Sequence, residues 1–460
     1  MKSLIVDKIN EFLETIQTKT AFISQNSAIL KNIEDIEFIL ISVLLILSTF
    51  CNTDILGFCA IGVIVISFLK HLIIKGEKLM LTNADGALII FVLLLIFSTI
   101  NSTLTNLSIT GFIKYLIYIG YYFAIVPMFR KRRKKVLWII LLIAGLCSIE
   151  SFYALLQSKT VIAGATWQDT SYVNPEHIIS RVFGTLKPYN PNLLAGYLIA
   201  SFPAVIGVTL LTIEKRHKKS LFIAICALLI SLMAIFQTGC RGAYLGLLGI
   251  FFAYLIVSYR IIFFDFSAFQ HLKKLWINLT SALVFGGIIA IACMPKIWHR
   301  IFSIFLMRGD SSTSFRMNVY HSSTQMFLDN PLFGIGLGNQ TFREIYGYYM
   351  LTGYDALGAY SVPLEIAVET GIFGFLVFFT FIILMLINGA KYICQNQSIR
   401  GKIYVAICLS SITGIMAHGL FDTIFFRPQV QFIFRTIMAL LNGTLSKKEN
   451  NIDTDKIKLV

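Results

Sequence analysis

The amino-acid sequence predicts an all-α polytopic membrane protein with about 12 transmembrane helices. The chain has 460 residues, of which 56% are hydrophobic and only 14% are charged, and its mean hydropathy is +0.75. This is more apolar surface than a water-soluble fold buries. The loops between the apolar stretches are basic on every second connection. Because Lys and Arg in short loops stay on the cytoplasmic side, we expect both termini there, or in the stroma if the membrane belongs to a plastid.

Several apolar stretches are shorter than the roughly 20 residues that cross a bilayer, so we expect their helices to extend into flanking polar residues. The last stretch is the least regular, because Arg427, Pro428 and Arg435 interrupt it. It could therefore be re-entrant or interfacial instead of spanning. The predicted spans, in order, are residues 36–50, 55–69, 86–100, 111–129, 136–157, 193–213, 220–236, 243–259, 277–293, 366–388, 403–419 and 427–442.

These spans define one transmembrane domain, residues 36–442, between a polar N-terminal segment, 1–35, and a polar C-terminal tail, 443–460. Two connections on the predicted outer face are long, at about 158–192 and 294–365. Loops of this length without structure of their own are uncommon unless they bind or catalyse. The two external loops are therefore where we expect the functional residues.

Charge and cysteine content exclude two classes of function. The net charge is +15, but most of the surplus lies in the inner loops, where topology accounts for it, so no nucleic-acid partner is expected. The eight cysteines form no CxxC motif and no Cys/His cluster of metal-binding spacing. We therefore expect buried free thiols, no metal and no other cofactor.

Arginines on the predicted outer face run against the positive-inside trend. A guanidinium is permanently charged and offers a planar fork of donors, which suits a phosphate or a carboxylate. The alternative for each one is an ordinary pair with a nearby carboxylate or a lipid headgroup. The arginines concerned are Arg181, Arg241, Arg300, Arg308, Arg316, Arg343 and Arg427.

Arg241 follows the seventh predicted span in a segment with glycines at 239, 242, 246 and 249. Small residues at three- and four-residue steps let a neighbouring helix approach closely. Gly246 and Gly249 are expected to pack helices, whereas Arg241 lies near the positive N-terminal end of its helix, where an anion could bind.

The second long loop contains the segment Asp310–Arg316, followed by a stretch with helical character to about Phe327. Serines ahead of Arg316 can cap this helix and leave its first turn favourable for an anion. The glycine string Gly334–Gly338 does not indicate dinucleotide binding, because no parallel-sheet pattern surrounds it.

Several of these motifs resemble the O-antigen ligase and polymerase superfamily of membrane glycosyltransferases. One further segment, Tyr346–Ser361, resembles the cyanobacterial branch of this superfamily described as inorganic-carbon (bicarbonate) transporters. The resemblance covers roughly residues 140–390 and is carried by Asn190–Gly196, Gln237–Gly249, Ser312–Arg316, Asn330–Gly338 and Leu364–Gly374.

The resemblance implies transfer of a glycan from a polyprenyl diphosphate to an acceptor hydroxyl on the outer face, without a metal. By motif position Arg241 and Arg316 would hold the diphosphate, with Arg181 as a further candidate. The family places a His-Asn pair where this chain has Tyr360 and Ser361. Because a tyrosine with a pKa near ~10 is a poor general base at neutral pH, the catalytic residue is unknown.

His177, His299 and His321 lie in the external loops as alternative bases, and nothing in their spacing selects one. Glu365 and Glu369, four residues apart, would share a helical face at the outer membrane edge and support the site. One could begin the helix and the other pair with an arginine, or they could relay protons.

Two functions therefore remain open. The first is an O-antigen ligase-like protein that binds a lipid-linked phosphorylated glycan or another anion. The alternative is a bicarbonate transporter or an accessory to one, with membrane lipid as a partner in both cases. The branch resemblance and a composition rich in Ile, Phe, Lys and Asn favour a bacterial (cyanobacterial) inner membrane or a plastid membrane.

Overall fold

The computed structural model describes residues 2–158, 167–168, 180–215, 217–265, 273–274, 276–278, 280–282, 285–286, 311–395 and 398–445. Apart from a pair of two-residue antiparallel strands, β1 (Trp167–Gln168) and β2 (Ser180–Arg181), its regular structure is helical. The helices are α1 (Lys2–Asn26), α2 (Ala28–Lys31), α3 (Ile33–Leu47), α4 (Thr53–Ile73), α5 (Asn83–Asn101), α6 (Thr105–Lys131), α7 (Arg133–Ser158), α8 (Pro191–Lys215), α9 (Lys218–Gln237), α10 (Arg241–Arg260), α11 (Ser311–Asp329), α12 (Asn339–Tyr346), α13 (Val362–Gln395), α14 (Ile399–His418) and α15 (Pro428–Leu445).

Nine helices in the described part of the chain are long and apolar enough to cross a bilayer, namely α4 to α10, α13 and α14. Each coincides with a predicted span, which confirms the helical polytopic fold. The first predicted span corresponds to α3, which has only 15 residues. The last corresponds to α15, with 18 residues. Most of the span predicted at 277–293 lies outside the described residues.

The polar N-terminal segment and the second external loop both contain helices. The N-terminal segment forms α1, and Gln17 fixes it to the inner end of α4 by donating to the carbonyls of His71 (2.8 Å) and Glu77 (2.9 Å). The second external loop contains α11 and α12. Residues 446–460 of the C-terminal tail lie outside the described residues.

Helix α10 packs antiparallel to α14 through its glycines. A Cβ on Gly246 would lie 3.1 Å from the carbonyl oxygen of Gly414, and one on Gly249 would lie 3.1 Å from that of Thr413. These positions carry no side chain because the two backbones approach closely, as expected for small residues at membrane helix interfaces. The packing predicted for Gly246 and Gly249 is confirmed.

Helix α13 is interrupted at Gly371, which has φ +67° and ψ −173°. The glycine string of the second loop, Gly334–Gly338, packs against this interruption. The Ile335 amide donates to the Val368 carbonyl at 2.9 Å, and the Ile372 amide donates to the Pro331 carbonyl at 2.8 Å. The backbone groups released by the break are therefore paired with the loop, which holds the loop against the outer end of the membrane domain.

Candidate functional site

Three predicted anion-binding arginines, Arg181, Arg241 and Arg316, lie on elements that contacts link around the turn joining α9 to α10; we call them the arginine cluster. Arg181 lies in β2, and its Nε donates to the Thr238 carbonyl at 2.6 Å. Its Nη2 also donates to Asn192 at the start of α8. The first external loop is thereby fixed to this turn.

Arg241 is the first residue of α10, with Cys240 as the N-cap. This confirms its predicted place at the positive end of the helix. Its Nη1 donates to the hydroxyl of Thr313 at 2.8 Å. Thr313 lies in the first turn of α11, one turn before Arg316, so this contact joins α10 to the helix that carries the third arginine.

Arg316 is held by the segment that follows α14. Its Nη1 donates to the Phe421 carbonyl at 2.9 Å, and its Nη2 lies 3.4 Å from an oxygen of Asp422. Burial would lower the pKa of Arg316, but Asp422 together with the nearby Cys240, Tyr320 and Tyr360 outweighs burial and raises it. The guanidinium also lies over the ring of Tyr360, 5.4 Å from its centroid. Arg316 therefore stays charged in a half-buried position.

Tyr360 and Ser361, the residues predicted at the family's His-Asn positions, make structural contacts. Burial, with the nearby charge of Asp422, raises the pKa of Tyr360 above its ordinary value, which makes the phenol a still poorer base. Its carbonyl accepts from the Tyr320 hydroxyl at 3.1 Å. The Ser361 carbonyl accepts from the Glu365 amide at 2.8 Å and so begins α13. Tyr360 thus acts on Arg316 through its ring.

Glu365 and Glu369 are both buried and act on the backbone of the second loop. Glu365 accepts from the Ala359 amide at 2.9 Å. Glu369 accepts from the Gly338 amide at 2.9 Å and from the Tyr115 hydroxyl of α6 at 2.8 Å. These contacts fix the start of α12 at Gly338 and the end of the segment between α12 and α13 at Ala359. Their positions fit a supporting role.

A buried group that the sequence did not reveal lies inside the arginine cluster: Cys240, His418 and Asp422. The Cys240 Sγ is 3.7 Å from the His418 Nε2, and one ligand atom from each of the three residues lies within 4.8 Å of the others. Burial would raise the pKa of the Cys240 thiol, but His418 beside it outweighs burial and lowers this pKa.

Sequence spacing missed this group because Cys240 and His418 are 178 residues apart. The available signal was the glycine face of α10. A helix that packs antiparallel on these glycines has its C-terminal end beside the N-terminal end of α10. That helix is α14, and His418 is its last residue.

The remaining candidates are dispersed. Arg343 pairs with the exposed Asp355 away from the arginine cluster, which is the ordinary pairing considered as the alternative. His321 is exposed on α11. His177, His299, Arg300 and Arg308 lie outside the described residues.

With this geometry in place, a comparison with protein families gives one result. Residues 226–379 match the O-antigen ligase family model, Wzy_C. The match includes Arg241, Arg316 and the α13 glutamates, and it supports the O-antigen ligase superfamily as a whole without distinguishing its branches. No curated protein matches the chain. The chain is therefore O-antigen ligase-like and multi-pass.

Proposed function

We propose that this protein binds a polyprenyl-diphosphate-linked glycan at the outer face of its membrane and transfers the glycan to an acceptor hydroxyl. The observation that supports the proposal is that contacts link the elements carrying Arg181, Arg241 and Arg316 around one turn. Arg241 and Arg316 also lie within residues 226–379, which match the O-antigen ligase family model. The membrane would be a bacterial (cyanobacterial) inner membrane or a plastid membrane, with both termini on the inner side.

The chemistry suits the arginines. When the acceptor oxygen attacks the sugar carbon, the bond to the diphosphate breaks and negative charge develops on the leaving group. Fixed guanidiniums stabilise that charge more in the transition state than in the bound donor. Arg241 contacts a hydroxyl of α11, and Arg316 contacts a carbonyl and a carboxylate of the segment that follows α14, so contacts position both side chains before a ligand arrives.

The polyprenyl chain would lie in lipid, while the diphosphate reaches the level of the helix ends. Arg241 at the first turn of α10 provides the N-terminal backbone amides as well as its side chain, and both favour a phosphate. The loop fixed by Glu365 and Glu369 would cover the glycan side of the site.

The test is copurification of the donor lipid. The wild type, the double variant Arg241→Ala plus Arg316→Ala, and the control Arg343→Ala would be purified in mild detergent, and bound lipid measured by mass spectrometry. We expect polyprenyl diphosphate species with the wild type and the control. Loss of two charge-assisted contacts, each worth about 1.5–3 kcal/mol, should reduce this lipid at least 100-fold in the double variant.

Arg343→Ala removes one positive charge from the second loop, which also carries Arg316, without touching the arginine cluster. It therefore shows whether a lower net charge by itself reduces the bound lipid. Equal lipid content in all three proteins would refute the assignment of the arginines. Absence of polyprenyl phosphate from the wild type, together with saturable bicarbonate flux in liposomes, would refute the transferase function.

A small-anion transporter is the second candidate, and one observation favours it. Arg435 of α15 is fully buried, and both of its Nη atoms are without a hydrogen-bond partner among the described residues. Buried cations within membrane domains commonly mark ion pathways. If the protein transports bicarbonate, Arg435→Gln should abolish flux in liposomes while Arg343→Gln leaves it unchanged.

A further inference from the structure

We propose that Cys240, His418 and Asp422 form a binding site for a thiophilic divalent metal ion, best matched by zinc, at the junction of α10 and α14. The three donors are a thiolate sulfur, an imidazole nitrogen and a carboxylate oxygen. Zinc accepts all three donor types, whereas magnesium and calcium select oxygen ligands alone. The inference goes beyond the proposed function, because the site is defined without reference to a glycan or a lipid.

The donor distances fit a tetrahedral ion. Zinc binds sulfur at about 2.3 Å and nitrogen at about 2.0–2.1 Å, so two such ligands on a tetrahedral ion are about 3.5 Å apart. The Sγ of Cys240 and the Nε2 of His418 are 3.7 Å apart. The carboxylate of Asp422 completes a set within 4.8 Å. The sulfur–nitrogen distance therefore already fits an ion, and the Asp422 carboxylate would turn toward the ion to complete the set.

Burial and neighbouring contacts orient the ligands. The exposed fraction is 3% for Cys240, 4% for His418 and 3% for Asp422. One oxygen of Asp422 accepts from the amides of Thr423 (2.8 Å) and Ile424 (3.3 Å). Such outer contacts hold a carboxylate ligand in place in known metal sites.

Gly242 leaves the space that the His418 imidazole occupies. A Cβ on Gly242 would lie 2.6 Å from the His418 Cδ2, so the imidazole packs directly on the first turn of α10. The ring can reach Cys240 only because position 242 has no side chain.

The charges of the surroundings also permit a cation. A thiolate and a carboxylate together carry two negative charges, which match a divalent ion, and Asp422 would then be shared between the ion and Arg316, 3.4 Å away. Three protein ligands leave one tetrahedral position for water or for an oxygen of a bound anion. A phosphate oxygen at that position would be contacted by the ion and by the guanidiniums.

The experiment measures metal content of the full-length protein in detergent, without added lipid, after incubation with zinc and removal of excess ion. The variants are Cys240→Ser, His418→Gln and Asp422→Asn. The matched control is Cys408→Ser, since Cys408 is also buried and lies on α14 but belongs to no such group. We expect about one zinc per chain in the wild type and the control, and a reduction of at least tenfold in the three variants.

Cobalt replaces zinc in the second measurement, because a thiolate bound to cobalt gives a charge-transfer absorption band. The band should appear in the wild type and disappear in Cys240→Ser. If a variant does not fold, the wild-type spectrum alone tests the proposal. Absence of the band from the wild type overturns it, and Cys240 and His418 are then a hydrogen-bonded thiol–imidazole pair. Equal zinc content in all variants would also overturn it. Neither result depends on whether the polyprenyl lipid is found.

Discussion

Two regions at the outer end of the membrane domain are built in opposite ways. The glycine string Gly334–Gly338 is joined to the break in α13 by backbone hydrogen bonds at positions where no Cβ fits. The arginine cluster is built from long charged side chains that reach between elements. The first region has one permitted geometry. It anchors the second external loop, which contains Arg316 of the second region. The comparison separates residues that shape the site from residues that meet a ligand.

The largest effect is expected from Gly371→Ala. The residue has φ +67°, and a Cβ would lie 2.2 Å from the Leu332 carbonyl oxygen. The unfavourable φ costs about 1–2 kcal/mol and the overpacking about 1–3 kcal/mol more. We expect a clear fall in thermal unfolding temperature in detergent. Gly57→Ala is the control, because no atom lies within 4 Å of a Cβ there; equal stability of both variants would contradict the role of the break.

Glu369→Gln should have the next largest effect, again on stability. The carboxylate accepts from the Gly338 amide and the Tyr115 hydroxyl, and an amide can replace only one of these acceptor oxygens. We expect a loss of about 1–3 kcal/mol, seen as a lower unfolding temperature. Diphosphate affinity of the folded fraction should change little. A selective loss of affinity at unchanged stability would instead place Glu369 in the ligand site.

Arg316→Lys tests the second region with the fold left intact. Lysine keeps the charge but lacks the planar fork that contacts the Phe421 carbonyl and Asp422 together. We expect diphosphate affinity about tenfold lower, or about 1.4 kcal/mol, with unchanged unfolding temperature. A binding titration with a short-chain polyprenyl diphosphate measures this change. Affinity equal to the wild type would show that charge alone suffices at this position.

The smallest effect is expected at Tyr360. Tyr360→Phe keeps the ring beneath Arg316 and should leave ligand binding and glycan transfer within about twofold of the wild type, whereas Tyr360→Leu removes a contact of about 0.5–1 kcal/mol. Transfer assays on both variants make the comparison. Loss of glycan transfer in Tyr360→Phe would identify the Tyr360 hydroxyl as a reacting group. It would contradict the interpretation that Tyr360 acts only through its ring.

The sequence predicted what local patterns determine. Hydropathy located the spanning helices because each helix in a bilayer must be apolar and must make its backbone hydrogen bonds within itself. It also predicted the α11 helix around Arg316 and the packing of Gly246 and Gly249. The break at Gly371 was not predicted, because its cause is a loop that docks from 30 or more residues away in the chain. Cys240, His418 and Asp422 were missed for the same reason.

The antiparallel contact between α10 and α14 has a consequence for biogenesis. The ribosome releases Cys240 long before His418 and Asp422, yet these three residues form one buried group, and Asp422 also pairs with Arg316. Until the C-terminal helices insert, Arg316 lacks its acidic neighbour and the turn before α10 lacks its covering helix. These contacts are therefore completed only after α14 and the segment that follows it have been added to the membrane domain.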